Sequence, residues 1–163
     1  KPFPVHNGRV FLFTLYFFSM RTWNPKNEQE TIEVGNKIAA SLKGGDVVLL
    51  YGELGAGKTT LTKGIATALG IKKNITSPTF TLMNVYTLKK PIQSIKELAH
   101  IDTYRMKDEQ ELLAIGVKDY LDQKNTLTII EWPEKLSTLL EKLRIIKISI
   151  THTKQGRMIQ LSN

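Results

Sequence analysis

The sequence predicts an α/β fold, with a sheet that has parallel central strands, antiparallel additions and flanking helices. Two features predict it. Residues 47–51 are a continuous apolar run of strand length, which is typical of a strand buried on both faces of a parallel sheet, and residues 126–130 are a second candidate for a buried strand. Around them, segments with the apolar spacing of helices are interspersed with segments that alternate apolar and polar residues. This combination indicates helices packed on a mixed sheet.

The first half of the chain predicts two helices, one before and one after a buried strand. Asn27 and Glu30 have the spacing of a capping pair, and an apolar stripe follows them, so a helix is expected to begin here. The strand over Val47–Tyr51 comes next, followed by a glycine-rich stretch. A second helix is expected from about Lys58 to Leu69, because a glycine follows directly.

The second half predicts a larger share of antiparallel structure. Residues 80–87 and 98–104 alternate apolar and polar side chains, and Lys89-Lys90-Pro91 between them suggests the turn of a hairpin. Beyond it we expect a short helix over residues 108–115 and a buried strand over residues 126–130. Another short helix is expected over residues 136–140, followed by a terminal hairpin of residues 145–150 and 158–161.

Composition excludes several classes of protein. The 41% hydrophobic and 23% charged residues are ordinary for a soluble globular protein and unlike a disordered, collagen-like or polytopic membrane chain. The absence of cysteine excludes a disulfide framework, a thiolate zinc site and a cysteine nucleophile, and it fits a reducing compartment. We therefore expect a cytoplasmic protein without a membrane partner. The net charge of +8 fits a solvated basic surface or a polyanionic ligand, and direct nucleic-acid binding is the alternative.

The first twenty residues differ from the rest. Residues 10–18 form an apolar run that is far shorter than the ~20 residues of a membrane-spanning helix. It has the length of a signal-peptide core, but no small-residue cleavage pattern follows. Two other interpretations are an extra strand and sequence that lies upstream of a true start at Met20. We favour the upstream sequence. The prediction is an extension over residues 1–20 and one domain over residues 21–163.

The strongest signal lies between the first buried strand and the helix after it. The segment matches the phosphate-binding loop G-x-x-x-x-G-K-[ST] at every fixed position, with Gly52, Glu53, Leu54, Gly55, Ala56, Gly57, Lys58 and Thr59. The N–H groups of such a loop converge on phosphate oxygens, and the helix presents its positive end to the same anion. Lys58 is expected to reach the β- and γ-phosphates, and Thr59 to ligate Mg²⁺. The fold expected is therefore a P-loop NTPase-like sheet.

A phosphate loop needs an acidic partner for Mg²⁺, and two carboxylates follow apolar strands. Glu131 comes after residues 127–130, and Asp102 comes after residues 98–101. Either acid is in a position to hold the metal or to orient water. The spacing leaves open which one ligates the metal, and a carboxylate that caps the following helix is the alternative for each.

Ser77-Pro78-Thr79 lies between the loop helix and the next strand, where many P-loop proteins have a γ-phosphate-sensing switch. A threonine here can offer its hydroxyl to Mg²⁺ when the triphosphate is present. A rigid Ser-Pro turn is the alternative. His100 is expected to be a buried strand histidine, because no second histidine or cysteine gives the spacing of a metal site.

Missing motifs narrow the type of P-loop protein. The sequence has no N-K-x-D or D-x-x-G element of GTPases and no L-S-G-G-Q signature of transporter-type ATPases. Small-molecule kinases use several arginines around the transferred phosphoryl group, whereas only Arg105, Arg144 and Arg157 follow the loop here. By elimination, adenine is the expected base and water the expected acceptor.

Together these motifs resemble the TsaE (YjeE) family of bacterial ATPases, which act in the synthesis of tRNA threonylcarbamoyladenosine. The resemblance covers about residues 27–157, in the family's order and at compatible spacing. It is carried by residues 52–60, 77–82, 100–105, 111–112 and 131–134.

The resemblance implies a function and assigns site residues. The family binds ATP and Mg²⁺, hydrolyses ATP slowly alone and works with the TsaB–TsaD pair, which modifies tRNA. The resemblance also implies that Thr60 belongs to the nucleotide-binding loop, that Glu131 ligates Mg²⁺ and that Asp102 is needed at the active site. Residues 77–79 correspond to the switch, with Ser77 and Thr79 as its hydroxyls. Arg157 is implied as a nucleotide contact near the adenine.

The expected catalytic residues are Lys58, Asp102 and Glu131, in an ATPase whose turnover changes the state of a partner complex. Two other classes remain open from the sequence. One is a small-molecule P-loop kinase, and the other is an ATP-gated scaffold without turnover.

Overall fold

A computed structural model describes residues 20–121, 123–136, 139–140 and 143–162. Apart from Met20, the predicted extension over residues 1–20 lies outside the described residues, so the predicted division of the chain stays a prediction. The elements, in chain order, are β1 Arg21–Trp23, α1 Glu28–Ala39, β2 Asp46–Tyr51, α2 Lys58–Ala68, β3 Met83–Ile92, β4 Ile95–Asp102, α3 Gln110–Ala114, α4 Lys118–Leu121, β5 Thr126–Glu131, a 3₁₀ turn Pro133–Lys135, β6 Arg144–Thr153 and β7 Gly156–Ser162.

Within the described residues the strands form one seven-stranded sheet in the order β1-β7-β6-β2-β5-β4-β3. The four central strands β6, β2, β5 and β4 are parallel, and β1, β7 and β3 are antiparallel to their neighbours. This confirms the predicted α/β class with a parallel centre and antiparallel additions. The carboxyl ends of β2, β5 and β4 therefore meet at one edge of the sheet.

The central strands are buried because each face of the sheet is covered. Val48 and Leu50 of β2 pack with α1 and α2 in one apolar cluster. Val47 and Leu49 point the other way into a second cluster, which includes Leu112 of α3. Since successive side chains of a strand alternate between faces, a strand between two covered faces must be apolar throughout. The continuous run that predicted β2 has this cause.

Two glycines let α1 and α2 approach closely. A Cβ atom at Gly64 would lie 2.2 Å from the Ile32 carbonyl oxygen, and one at Gly35 would lie 2.5 Å from the Leu61 carbonyl oxygen. Both distances are too short for any side chain. This close packing against α1 fixes the position of α2, the helix that follows the phosphate loop.

The first helix begins at the predicted cap, where the Asn27 side chain accepts a hydrogen bond from the backbone N–H of Glu30 at 2.9 Å.

The predicted turn at Lys89-Lys90-Pro91 is wrong in position, although the antiparallel hairpin is confirmed. β3 continues to Ile92, and the turn is made by Gln93 and Ser94, whose φ angles are 48° and 65°. β3 is an edge strand, so Pro91 can lie within it without removing a hydrogen bond from a second neighbour. The proline was therefore a misleading turn signal.

Other elements differ in extent from the prediction. The sequence did not predict β1 or α4, which have three and four residues and are too short for a periodic pattern. The short helix expected through Leu136–Leu140 is not among the described helices; a 3₁₀ turn, Pro133–Lys135, lies just before it, and residues 137–138 lie outside the described residues. Among the described helices, none has the length and apolar character needed to span a bilayer.

Candidate nucleotide site

The predicted site residues meet at the carboxyl edge of the sheet. Asp102 at the end of β4 pairs in register with Glu131 at the end of β5, and Glu131 is also in register with Leu50 of β2. The phosphate loop leaves β2 directly beside them. The open cavity between the loop and these strand ends has a volume of about 640 Å³ and is lined by Leu54, Gly55, Gly57, Lys58, Thr59, Thr60, Ser77, Thr79, Phe80, Asp102, Tyr104, Arg105, Glu131 and Trp132.

The loop has the backbone conformation that its glycines allow. Gly52, Gly55 and Gly57 have φ angles of 147°, 78° and 107°. A side chain on Gly52 would also meet the Ile150 carbonyl oxygen at 2.5 Å. Gly57 is the N-cap of α2 and provides no side-chain cap, so the first N–H groups of this helix have no intrahelical partner. A phosphate group is a suitable acceptor for them.

Lys58 lies inside the site rather than in solvent. Only 4% of it is exposed, and its Nζ donates hydrogen bonds to the carbonyl oxygens of Gly52 at 2.7 Å and Glu53 at 2.9 Å. The ammonium also lies 3.7 Å from the centroid of the Trp132 ring. These contacts hold the cation over the loop, where a bound polyphosphate would meet it.

Burial lowers the pKa of Lys58 below its ordinary value, and the negative charges of Glu131, Asp102 and Glu134 oppose this shift. The ammonium has thus lost water, and backbone oxygens replace it only in part. An anion at this position would restore the missing charge compensation. The electrostatics of the site therefore favour a phosphate ligand.

Thr59 and Glu131 form a direct pair although 72 positions separate them in the chain. The Thr59 hydroxyl donates to Glu131 Oε1 at 2.9 Å, with Oε2 at 3.2 Å. The same Oε1 lies 2.8 Å from His100 Nε2. Glu131 is only 3% exposed, so its carboxylate is held by these two side chains. Of the two acids, Glu131 is the one beside the loop hydroxyl.

Asp102 is engaged differently. Its Oδ2 accepts hydrogen bonds from the hydroxyls of Ser77 and of Thr79, the latter at 2.8 Å, and its Oδ1 accepts one from the backbone N–H of Tyr104 at 2.9 Å. The two predicted switch hydroxyls are therefore tied to Asp102. The structure brings the predicted switch and the second acid together, which the sequence could not foresee.

Aromatic side chains form the rim of the cavity. Trp132 has a φ angle of 61°, an unusual value for a large residue, and its ring lies 4.8 Å from that of Tyr104. Arg105 lies over the Phe80 ring at 4.4 Å. Leu54 and Phe80 are 73% and 83% exposed. Of these residues, Leu54 was predicted as a member of the phosphate loop. The aromatic residues Phe80, Tyr104 and Trp132 were not predicted as site residues, because an isolated aromatic residue resembles an ordinary core residue in sequence.

Arg157 lies behind the loop and does not line the cavity that contains Lys58. Its Nε donates to the Ala56 carbonyl oxygen at 2.8 Å, and its side chain packs against the Cα position of Gly57. It borders a second, smaller cavity of about 330 Å³, lined also by Asn24, Lys26, Thr153, Lys154 and Gln155. Arg157 thus supports the phosphate loop from the strand β7.

The donor set fits Mg²⁺ held jointly with a nucleotide. In the part of the chain that the structure describes, no group of three or more histidine, cysteine, aspartate or glutamate side chains could hold a metal ion by itself. Thr59 and Glu131 supply one hydroxyl and one carboxylate. Mg²⁺ is usually bound by one or two such oxygen ligands together with phosphate oxygens and water.

Comparisons with known proteins agree with one another. The sequence model of the family described as "Threonylcarbamoyl adenosine biosynthesis protein TsaE" matches residues 25–159. The tRNA threonylcarbamoyladenosine biosynthesis protein TsaE of Bacillus subtilis is 40% identical over 126 residues, covering 76% of this chain and 75% of the relative. The protein of the same name from Haemophilus influenzae is 37% identical over 115 residues, covering 71% and 68%.

A solved structure is also similar. The crystal structure of YdiB from Bacillus subtilis superimposes with a TM-score of 0.66 and 31% sequence identity, covering 88% of this chain and 84% of that one.

Proposed function

Since the chain belongs to the TsaE family of threonylcarbamoyl adenosine biosynthesis proteins, we propose that it is a Mg²⁺-dependent ATPase that supports a TsaB–TsaD complex. Family membership confirms the resemblance drawn from the motifs and assigns the chain to tRNA threonylcarbamoyladenosine biosynthesis. The finer proposal depends on one observation, the hydrogen-bonded pair of Thr59 and Glu131 beside a complete phosphate loop.

In this proposal the loop binds the triphosphate through its backbone. The N–H groups of residues 55–60 would donate to phosphate oxygens, and the α2 dipole adds to the attraction. Lys58 would exchange at least one of its carbonyl acceptors, Gly52 or Glu53, for a phosphate oxygen. Because a charged acceptor forms the stronger hydrogen bond, this exchange favours the bound state.

Thr59 and Glu131 are the residues that would hold Mg²⁺. The chemistry that this ion supplies at such sites is compensation of the charge on the β- and γ-phosphate oxygens. Thr59 offers a hydroxyl lone pair, and Glu131 offers a carboxylate that the protein keeps almost free of solvent. Asp102, one strand further from the loop, is left to orient water or to hold the switch.

The base would extend toward the smaller cavity beside Arg157. This cavity is lined by Asn24 and Lys26, which lie between β1 and α1, and by Gln155 of the β6–β7 turn. Adenine is the base proposed, because the guanine-specific element is missing from the sequence. Arg157 would then contact the nucleotide while it supports Ala56.

Slow hydrolysis by the isolated chain follows from the lining of the site. Arg105 is the only arginine among the described lining residues, and its guanidinium is stacked on the Phe80 ring. In P-loop hydrolases the rate of hydrolysis rises by several orders of magnitude when an arginine reaches the transferred phosphate. The exposed Leu54 and Phe80 at the rim offer an apolar surface on which a partner could complete the site.

The proposed function is tested by phosphate release from ATP in the presence of Mg²⁺, with the chain alone and with TsaB, TsaD and tRNA added. We expect slow release alone and faster release in the complete mixture. Transfer of phosphate to a hydroxyl compound above the rate of release would instead identify a kinase. Tight ATP binding without turnover in any mixture would identify a scaffold. Failure of TsaB and TsaD to associate with the chain when ATP is present would contradict the partner assignment.

A second test addresses the switch. In the Asp102→Ala variant, Ser77 and Thr79 lose their shared acceptor, so we expect amide hydrogens of residues 76–80 to exchange about tenfold faster without nucleotide, since one lost charge-assisted hydrogen bond corresponds to at least that factor. The control is Asp108→Ala, because Asp108 accepts a hydrogen bond from Gln110, away from the switch. Equal exchange in both variants would show that Asp102 does not restrain the segment.

A further inference from the structure

We propose that His100 is a positioning residue that holds the carboxylate of Glu131 in the orientation needed to bind Mg²⁺. This inference rests on the proposed function, because it concerns how the proposed ligand is supported. It goes beyond that function, since His100 was expected to be only a buried strand residue. The residue lies on β4, next to the strand that ends at Glu131.

The geometry carries the inference. His100 is fully buried, and its Nε2 lies 2.8 Å from Glu131 Oε1. An ionised carboxylate only accepts hydrogen bonds, so Nε2 must carry the hydrogen. Nδ1 is buried and has no hydrogen-bond partner in the described residues. Within the described part of the chain, the hydrogen bonding of the ring is therefore directed to Glu131 alone.

The second support of the carboxylate comes from a proposed metal ligand. In this structure the Thr59 hydroxyl also donates to Glu131. A hydroxyl can give a lone pair to a metal while it donates its one O–H to the carboxylate, so this support moves with the loop and the ion. The His100 contact comes from β4, so it holds the carboxylate independently of the loop. Without it, the nearly unexposed carboxylate would depend on Thr59 alone for its orientation.

Three substitutions separate positioning from packing. His100→Leu keeps the bulk and removes the donor. His100→Gln places an amide N–H near the position of Nε2, whereas the shorter side chain in His100→Asn ends near the position of Nδ1 and cannot reach Oε1. The Gln and Asn variants are matched in polarity. The difference between their Mg²⁺ dependences therefore measures the effect of the hydrogen bond to Glu131, even if the leucine variant folds poorly.

The measurement is calorimetry of ATP binding as a function of Mg²⁺ concentration, with a parallel titration in excess chelator. We expect His100→Leu and His100→Asn to need about 10–100-fold more Mg²⁺ for the same gain in ATP affinity, the usual effect of losing a residue that supports a metal ligand. His100→Gln should remain close to the unmodified protein. Binding of Mg²⁺-free ATP should be the same in all, because the hydrogen bond of His100 goes to Glu131 and not to the loop.

The Glu131→Gln variant is included to distinguish two failures. If Glu131→Gln shifts the Mg²⁺ dependence and the folded His100 variants do not, the positioning role is overturned and the proposed function stands. If Glu131→Gln has no effect either, the metal assignment of the proposed function has failed. A uniform loss of ATP affinity with and without Mg²⁺ would show that His100 supports only the fold.

Discussion

Replacing Lys58 by alanine is expected to weaken ATP binding by roughly 100-fold and to abolish hydrolysis. A hydrogen bond to a charged group is worth about 1.5–3 kcal/mol, and each 1.4 kcal/mol corresponds to about tenfold in affinity. The lysine can bring two such bonds to the phosphates, but it gives up contacts with the carbonyl oxygens of Gly52 and Glu53. The net loss is therefore smaller than the sum of the new bonds.

The measurement is calorimetry with ATP together with an assay of phosphate release. Lys63→Ala is the matched control, because this lysine lies on the same helix with its side chain 38% exposed and makes a surface ion pair of 3.5 Å with Glu28. Such pairs contribute about 0–1 kcal/mol, so the control should bind ATP normally. Unchanged binding and hydrolysis in Lys58→Ala would exclude the proposed mechanism.

Replacing Glu131 by glutamine is expected to lower the rate of hydrolysis by about 100-fold or more, since a metal ion at a transferring phosphate supplies several kcal/mol. The substitution keeps the shape of the side chain and removes its charge. Binding of ATP in excess chelator should be retained or become tighter, because one negative charge beside the phosphates is gone. The gain in affinity on adding Mg²⁺ should disappear.

This pattern distinguishes Glu131 from the other acid of the site. The control is Glu33→Gln, on the exposed face of α1, which should leave both quantities unchanged. Asp102→Asn is measured in parallel, and we expect it to change hydrolysis more than the Mg²⁺ dependence. A Mg²⁺ dependence that shifts in Asp102→Asn and is normal in Glu131→Gln would reverse the assignment of the two acids.

Strand order explains why spacing could not separate the two acids. Both follow apolar runs of similar length, and in the sheet they lie side by side in register. β5 is the direct neighbour of β2, from which the loop departs, and β4 is one strand further out. Neighbouring strands are ~4.8 Å apart. That step places Glu131 against Thr59 and leaves Asp102 against the hydroxyls of Ser77 and Thr79.

Arg157 and His100 show the same dependence on distant parts of the chain. Arg157 supports Ala56, 101 positions away, because β7 pairs with β6 and β6 with β2. His100 faces Glu131 because β4 and β5 are parallel and in register. Each side chain in sequence looks like an isolated polar residue on a strand, and no local pattern reports its partner.

The amino-acid pattern was sufficient for the phosphate loop, the helix after it and the parallel centre of the sheet. All atoms of the loop come from one contiguous segment, and its glycines dictate the backbone locally. The strand β2, from which the loop departs, is marked by an uninterrupted apolar run. The pairing of Thr59 with Glu131, the hydrogen bonds from Ser77 and Thr79 to Asp102 and the position of Arg157 depended on three-dimensional packing. Strand order and register are set by the burial of both sheet faces at once, which no short segment encodes.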